Sequence, residues 1–226
     1  MVDIFQVEVG MLSNFNVLIA DAASRECAVV DPAYEVDRLL REARTRSWRI
    51  TRVLLTHTHH DHVDGVEEMV KATSATVHVG RGELENARKA APSAELVPLD
   101  GGERILVGAL PIEVLATPGH TVAGRSYLAG AAGEQAVMTG DTLFIGGCGR
   151  TDFPGGDPRV LWRSLQLLAS LPEETRVYPG HDYGQTPTST IGWEKTSNPY
   201  LRCKSEEEFV ALRTGKNPPR PTKGPR

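Results

Sequence analysis

The segment ITRVLLTHTHHDH, residues 50–62, decides how the rest of the chain is read. Ile50 to Leu55 is a run rich in branched apolar residues, with the character of a buried strand. Four histidines and an aspartate then crowd into six positions: His57, His59, His60, Asp61 and His62. His57 and His59 are two apart, so in extended chain their side chains point the same way. Asp61 and His62 fall where the next helix is expected to begin. A strand-to-helix loop of this kind aims several imidazole and carboxylate donors at one small volume, and such donors suit zinc or iron. A solvated polar loop would account for any one of these histidines, but not for the cluster.

Three later segments share one design: Ala116-Thr117-Pro118-Gly119-His120, Met138-Thr139-Gly140-Asp141 and Val177-Tyr178-Pro179-Gly180-His181. Each is a short predicted strand that ends in glycine and a ligand-type residue. Glycine lets the backbone turn sharply where a strand gives way to a loop. Two histidines stay outside this pattern. His78 lies between Val77 and Val79 and reads as a packed or surface residue, and His60 reads as solvent-facing.

Around these segments, alternation predicts two strands and a turn over Phe5 to Ile19, and a buried strand over Cys27 to Val30 that stops at Asp31-Pro32. Helical spacing predicts helices over Tyr34–Ser47, Val63–Thr73, Gly80–Ala91 and Pro158–Leu171. Further strands are expected at Val77–Val79, twice within Ile105–Leu115 around Gly108, in a hairpin of Ser126–Leu128 with Gln135–Met138, and at Thr175–Tyr178. Strands that come in runs with helices interspersed suggest two sheets covered by helices rather than one doubly wound sheet.

The 226 residues suit a single domain, expected over 1–215, with the Pro-rich basic tail 216–226 extended or disordered. A net charge of −4 without a basic stripe argues against nucleic acid as a partner. Cys27, Cys148 and Cys203 are three in number and far apart, which argues against a disulfide framework and for a reducing compartment. The first residues lack a basic start followed by an apolar run, and no apolar stretch reaches the ~18 residues of a membrane span. A cytoplasmic location is therefore expected, although a matured organellar protein would look the same.

The HxHxDH run and the three strand-Gly-ligand segments, in this order, resemble the metallo-β-lactamase superfamily from about Phe5 to Leu201. The resemblance implies an α/β fold, a four-layer αβ/βα sandwich of two mixed sheets flanked by helices, with metals at one edge. By motif, His57, His59 and His120 line a first metal position. Asp61, His62 and His181 line a second, and Asp141 lies between them.

The runs GGCGRTDF at 146–153, His181-Asp182-Tyr183 and EKTSNPYL at 194–201 narrow the resemblance to the persulfide dioxygenases, the family that includes the human ethylmalonic encephalopathy protein. That family implies one Fe(II) per chain on His57, His120 and Asp141, with glutathione persulfide and O2 converted to glutathione and sulfite. His59, Asp61, His62 and His181 would then orient the ligands, or keep open a second metal. Arg150 and Tyr183 match positions near the thiol substrate, and a homodimer is expected. For Arg150 the bland alternative is an ion pair with Asp152; for Cys148 it is a small buried residue rather than a redox-sensitive thiol. The nearest rival is a glutathione thioester hydrolase of the glyoxalase II kind, with zinc or a dinuclear centre. Its family appends a helical domain for glutathione, whereas only a short segment follows His181 here. A nuclease, a lactamase and an inactive metal-binding sensor or scaffold rank lower, the last because no ligand is missing.

Overall fold

The computed structural model describes residues 2–222. The chain opens with β1 (Val2–Val9), β2 (Asn14–Asp21) and β3 (Glu26–Val30), then α1 (Val36–Thr45) and β4 (Arg49–Leu54). Next come α2 (His60–Val63), α3 (Val66–Thr73), β5 (Thr76–Gly80), a 3-10 turn (Arg81–Glu83), α4 (Leu84–Ala90) and β6 (Leu96–Leu99). The second half contains β7 (Arg104–Val107), β8 (Leu110–Ala116), β9 (Arg125–Ala129), β10 (Ala136–Gly140), β11 (Leu143–Phe144) and β12 (Gly147–Cys148). It ends with α5 (Pro158–Ala169), β13 (Arg176–Pro179), β14 (Ser189–Thr190), α6 (Ile191–Ser197) and α7 (Glu206–Thr214).

Two six-stranded sheets form, in the orders β1-β2-β3-β4-β5-β6 and β14-β13-β10-β9-β8-β7. Both are mixed. The first is antiparallel through β3 and parallel from β3 to β6; the second is antiparallel except for the parallel pair β10 and β13. Three apolar clusters hold the layers. Leu39, Ala43, Met69 and Ala87 pack α1, α3 and α4 on one face of the first sheet. Ile19, Leu54, Ile112, Tyr127 and Met138 fill the space between the sheets. Leu161, Leu165, Leu168 and Phe209 pack α5 and α7 onto the second sheet. Apolar side chains on both faces of β2, β9 and β10 explain why all their residues are buried, each large one contributing roughly 1.5–3 kcal/mol. This is the sandwich of two mixed, helix-flanked sheets that the sequence led us to expect.

Some local expectations need correction. The helix predicted over Val63–Thr73 begins only at Val66, as α3, and a separate short helix, α2, precedes it and carries Asp61 and His62, with the break near Gly65. A Cβ at Gly65 would press on Val36 and the Pro32 carbonyl, so the break is a close approach to the loop after β3. The segment Gly80–Ala91 begins as a 3-10 turn rather than an α-helix. Sequence reading missed β6, β11, β12, β14, α6 and α7. The cysteines are free and buried, and burial pushes the thiols of Cys27 and Cys148 up to about 12, so Cys148 is a packed neutral side chain. In the tail, residues 216–222 carry no helix or strand, and the Pro219 carbonyl accepts a 2.7 Å hydrogen bond from Tyr200. Residues 223–226 lie outside the described residues. Among the described residues, no helix is long and apolar enough to cross a membrane.

Candidate metal centre

The ligand-type residues leave the sheets at one edge. His57 follows β4, His120 follows β8, Asp141 follows β10 and His181 follows β13, each within a few residues of the strand end. The glycines before them serve different needs. Gly119 and Gly140 have φ of +124° and +49°, where a side chain is strained. Gly180 has no such backbone; it is required for space, because a Cβ there would lie 2.5 Å from Asp141 Oδ1.

Two donor clusters result. His59 Nδ1 lies 3.0 Å from both His57 Nε2 and His120 Nε2. His62 Nε2 and His181 Nε2 are 3.3 Å apart, and Asp61 Oδ2 is 3.8 and 3.4 Å from them. Asp141 spans the two clusters: Oδ2 is 3.6 Å from His120 Nε2, and Oδ1 is 3.4 and 3.5 Å from His62 and His181. His57/His59/His120 and Asp61/His62/His181 each bring their donor atoms within 4.8 Å of one another, as does a third set, Asp31/His57/His62.

Hydrogen bonds on the far side of each ring fix which nitrogen faces inward. His120 Nδ1–H donates to the Arg150 carbonyl at 2.7 Å, and His181 Nδ1–H to the Leu12 carbonyl at 3.0 Å. His62 Nδ1–H donates to Asp31 at 2.9 Å. The Thr56 hydroxyl donates to Asp31 at 2.6 Å, so it accepts from His57 Nδ1–H at 3.0 Å. All four rings therefore turn Nε2 to the centre, and in the neutral tautomer these bonds select, it is the nitrogen a metal would take.

Electrostatics divide the rings into two groups. Burial, together with the neighbouring His62, holds His57 well below the ordinary imidazole range. Burial and His120 lower His59. For Asp141, burial favours the neutral acid, but His181 and His62 outweigh it and hold the carboxyl well below its usual value. For His62 burial opposes charge, but Asp141 and Asp31 overcome it, and Asp141 does the same at His181, so these two rings favour the charged form that a bound cation would replace. Asp141 Oδ1 is buried without a hydrogen-bond partner. A buried carboxylate oxygen without a hydrogen bond, set among imidazole nitrogens, is a donor that a cation would satisfy. Tetrahedral coordination at about 2.0–2.1 Å would spread neighbouring donors to ~3.3 Å, near the separations seen. The residues fit one or two metal ions.

Residues 10–181 match the metallo-β-lactamase superfamily. The chain belongs to that superfamily. The crystal structure of ETHE1 from Myxococcus xanthus is similar at 38% identity and a TM-score of 0.83, over 97% of this chain and 93% of that one. A di-iron-bound form of TTHA1623 is similar at 34% identity and a TM-score of 0.74, over 87% of this chain and 100% of that one. Hydroxyacylglutathione hydrolase of Cereibacter sphaeroides is 38% identical over 90% of this chain and 76% of its own length.

Within the superfamily frame, the remaining expected residues take definite places. His60 is solvent-facing, at 76% side-chain exposure. The Arg150 fork grips Asp152 at 2.9 and 2.6 Å and stacks over Phe153 at 4.5 Å. Tyr183 stacks flat on His181, ring centres 4.6 Å apart, and burial pushes its phenol up to about 12, so it is a neutral donor. Sequence reading overlooked Asp31, whose carboxylate binds Thr56 and His62 and which adopts φ 48°. The available signal was an acid closing the buried strand Cys27–Val30. It also overlooked Asn14, which donates to the carbonyl and carboxylate of Asp61 at 2.9 and 3.2 Å. A cavity of about 800 Å³ lies at the opposite ends of β1, β10 and β13, lined by Phe5, Arg46, Trp48 and Arg176, and does not touch this centre.

Proposed function

We propose that the protein is a persulfide dioxygenase that uses Fe(II) to oxidise glutathione persulfide. The observation that carries this reading is the placement of the GGCGRTDF loop, the segment most like those dioxygenases. Its Arg150 carbonyl holds His120, its Phe153 ring lies 5.3 Å from His59, and a Cβ at Gly149 would strike the Asp141 carbonyl. The loop is thus built into the centre. Likeness to ETHE1 over nearly the whole chain supports the same reading.

In this proposal His57, His120 and Asp141 hold the iron, which supplies open positions for persulfide sulfur and O2 when bound. The chain's own residues orient the substrate. Tyr183 donates its hydroxyl, and Arg150 takes a substrate carboxylate in exchange for Asp152, an exposed pair worth little to stability. The net reaction joins the persulfide, O2 and water to give the thiol, sulfite and protons. The outer sulfur is oxidised and O2 reduced, so no outside reductant is needed.

A second reading rests on one observation: Asp61, His62 and His181 form a complete donor set beside the first. Two metals there would generate a hydroxide for thioester hydrolysis, in line with the hydroxyacylglutathione hydrolase relative. Anaerobic metal analysis combined with O2 uptake separates the two. About one iron per chain, O2 consumption and sulfite release are expected. Two metals, no O2 uptake and cleavage of a glutathione thioester would establish the hydrolase instead.

A further inference from the structure

Glu83 is a buried carboxylate, only 3% exposed, that touches no metal-ligand side chain. It nevertheless joins the two loops that supply the first metal position. Oε2 accepts from the Thr58 hydroxyl at 2.7 Å, and Thr58 sits between His57 and His59. Oε1 accepts from the Thr121 hydroxyl and from the Ala123 amide, the latter at 3.3 Å; Thr121 follows His120. Two glycines allow this reach. A Cβ at Gly80 would overlap the Ala123 carbonyl oxygen, and one at Gly82 would lie 3.0 Å from Ala123 Cβ. The 3-10 turn is therefore pressed directly against the loop after His120. From the other side, the buried Arg125 guanidinium donates to the carbonyls of Ala123, Gly124 and Leu99 at 3.0, 2.9 and 2.8 Å. On the Thr58 side, Asn86 is the further contact, at 3.3 Å.

We infer that Glu83 is a positioning residue for the metal position that His57 and His120 line. It sets the spacing between the loop carrying His57 and His59 and the loop carrying His120, and through that spacing the affinity and geometry of the site. Hydroxyl donors to a buried carboxylate make short, strong bonds, and partners one step removed from a metal typically change its affinity 10–100-fold. The role is the same whether the centre serves dioxygenation or hydrolysis.

Cobalt(II) is the probe, because its visible d–d absorption reports donor geometry without turnover. Glu83→Ala should weaken Co(II) binding about 10–100-fold, read by chelator competition, and change the d–d bands. Glu83→Gln should restore both, since its carbonyl can accept from Thr121 and Ala123 while its amide donates to the Thr58 oxygen. If Glu83→Ala does not fold, the near-isosteric Thr58→Val/Thr121→Val double variant must show the same weakening. Wild-type affinity with an unchanged spectrum, in a folded Glu83→Ala protein or in the double variant, would overturn the inference and leave Glu83 a purely structural carboxylate. Neither readout depends on which reaction is catalysed.

Discussion

At the scale of single residues, the histidines of this chain divide by what lies behind the ring. His57, His62, His120 and His181 each have an acceptor at Nδ1, which frees Nε2 for the centre. His78 has no such support: its Nδ1 is buried without a partner, and Arg52 is nearby. Burial, aided by the Arg52 charge, pushes His78 down to about 4, against roughly 6.5 in an unfolded chain. Below pH ~6.5 the unfolded state binds this proton and the folded state does not. The stability contributed by neutral His78 is therefore complete above pH ~6.5 and is lost as pH falls towards about 4, on the order of 3 kcal/mol in all. Urea midpoints of the metal-free protein should fall more steeply over this window in wild type than in His78→Gln. Equal slopes would show that His78 protonates freely in the folded protein.

At the scale of elements, the ligands are placed by how strands end and helices begin. Asp157 caps α5 by accepting from the amides of Arg159 and Val160, with Pro158 at the first turn. The Asp157 amide donates to the Gly119 carbonyl at 2.8 Å, so the start of α5 is tied to the residue before His120. A Cβ at Gly119 would overlap the Leu161 backbone, on a residue with φ +124°. Gly119→Ala should therefore cost about 2–4 kcal/mol and push His120 away from its partners. Lower thermal midpoint together with reduced metal content is the expected result; a variant with wild-type values for both would show that α5 yields without cost.

At the scale of the whole molecule, two sheets deliver the ends of β4, β8, β10 and β13 to one edge, while three apolar clusters form without any contribution from the centre. The fold is therefore expected to form without metal, with metal acting on it as a ligand. A metal at a thousandfold excess over its dissociation constant adds about 4 kcal/mol, which for a domain of this size is roughly 10 °C in melting temperature. Chelation should remove that increment and leave the far-ultraviolet circular dichroism intact. Loss of the dichroism on chelation would mean that the layers need the metal to form.

The ligand-type residues stood out in the chain because metal chemistry restricts residue type and strand and helix periods restrict spacing, and the resemblance to the superfamily is what grouped them into one centre. His57, His59, Asp61, His62, His120, Asp141 and His181 all converge, and the layered architecture follows from runs of buried strands between amphipathic helices. α5 was legible for a similar reason, having a cap, a proline and one apolar face. α7 was not: it is short, and Phe209 is its one buried side chain, so its place depends on packing against Trp162 and Tyr200. Nor was β6, an edge strand interrupted by Pro98. Glu83 and Asn14 carry no local pattern at all, and for Asp31 the one local mark is its place at the end of a buried strand. Their partners lie 25 to 47 positions away along the chain, and hydrogen bonds across such separations come into being only when the sheets bring those strand ends together.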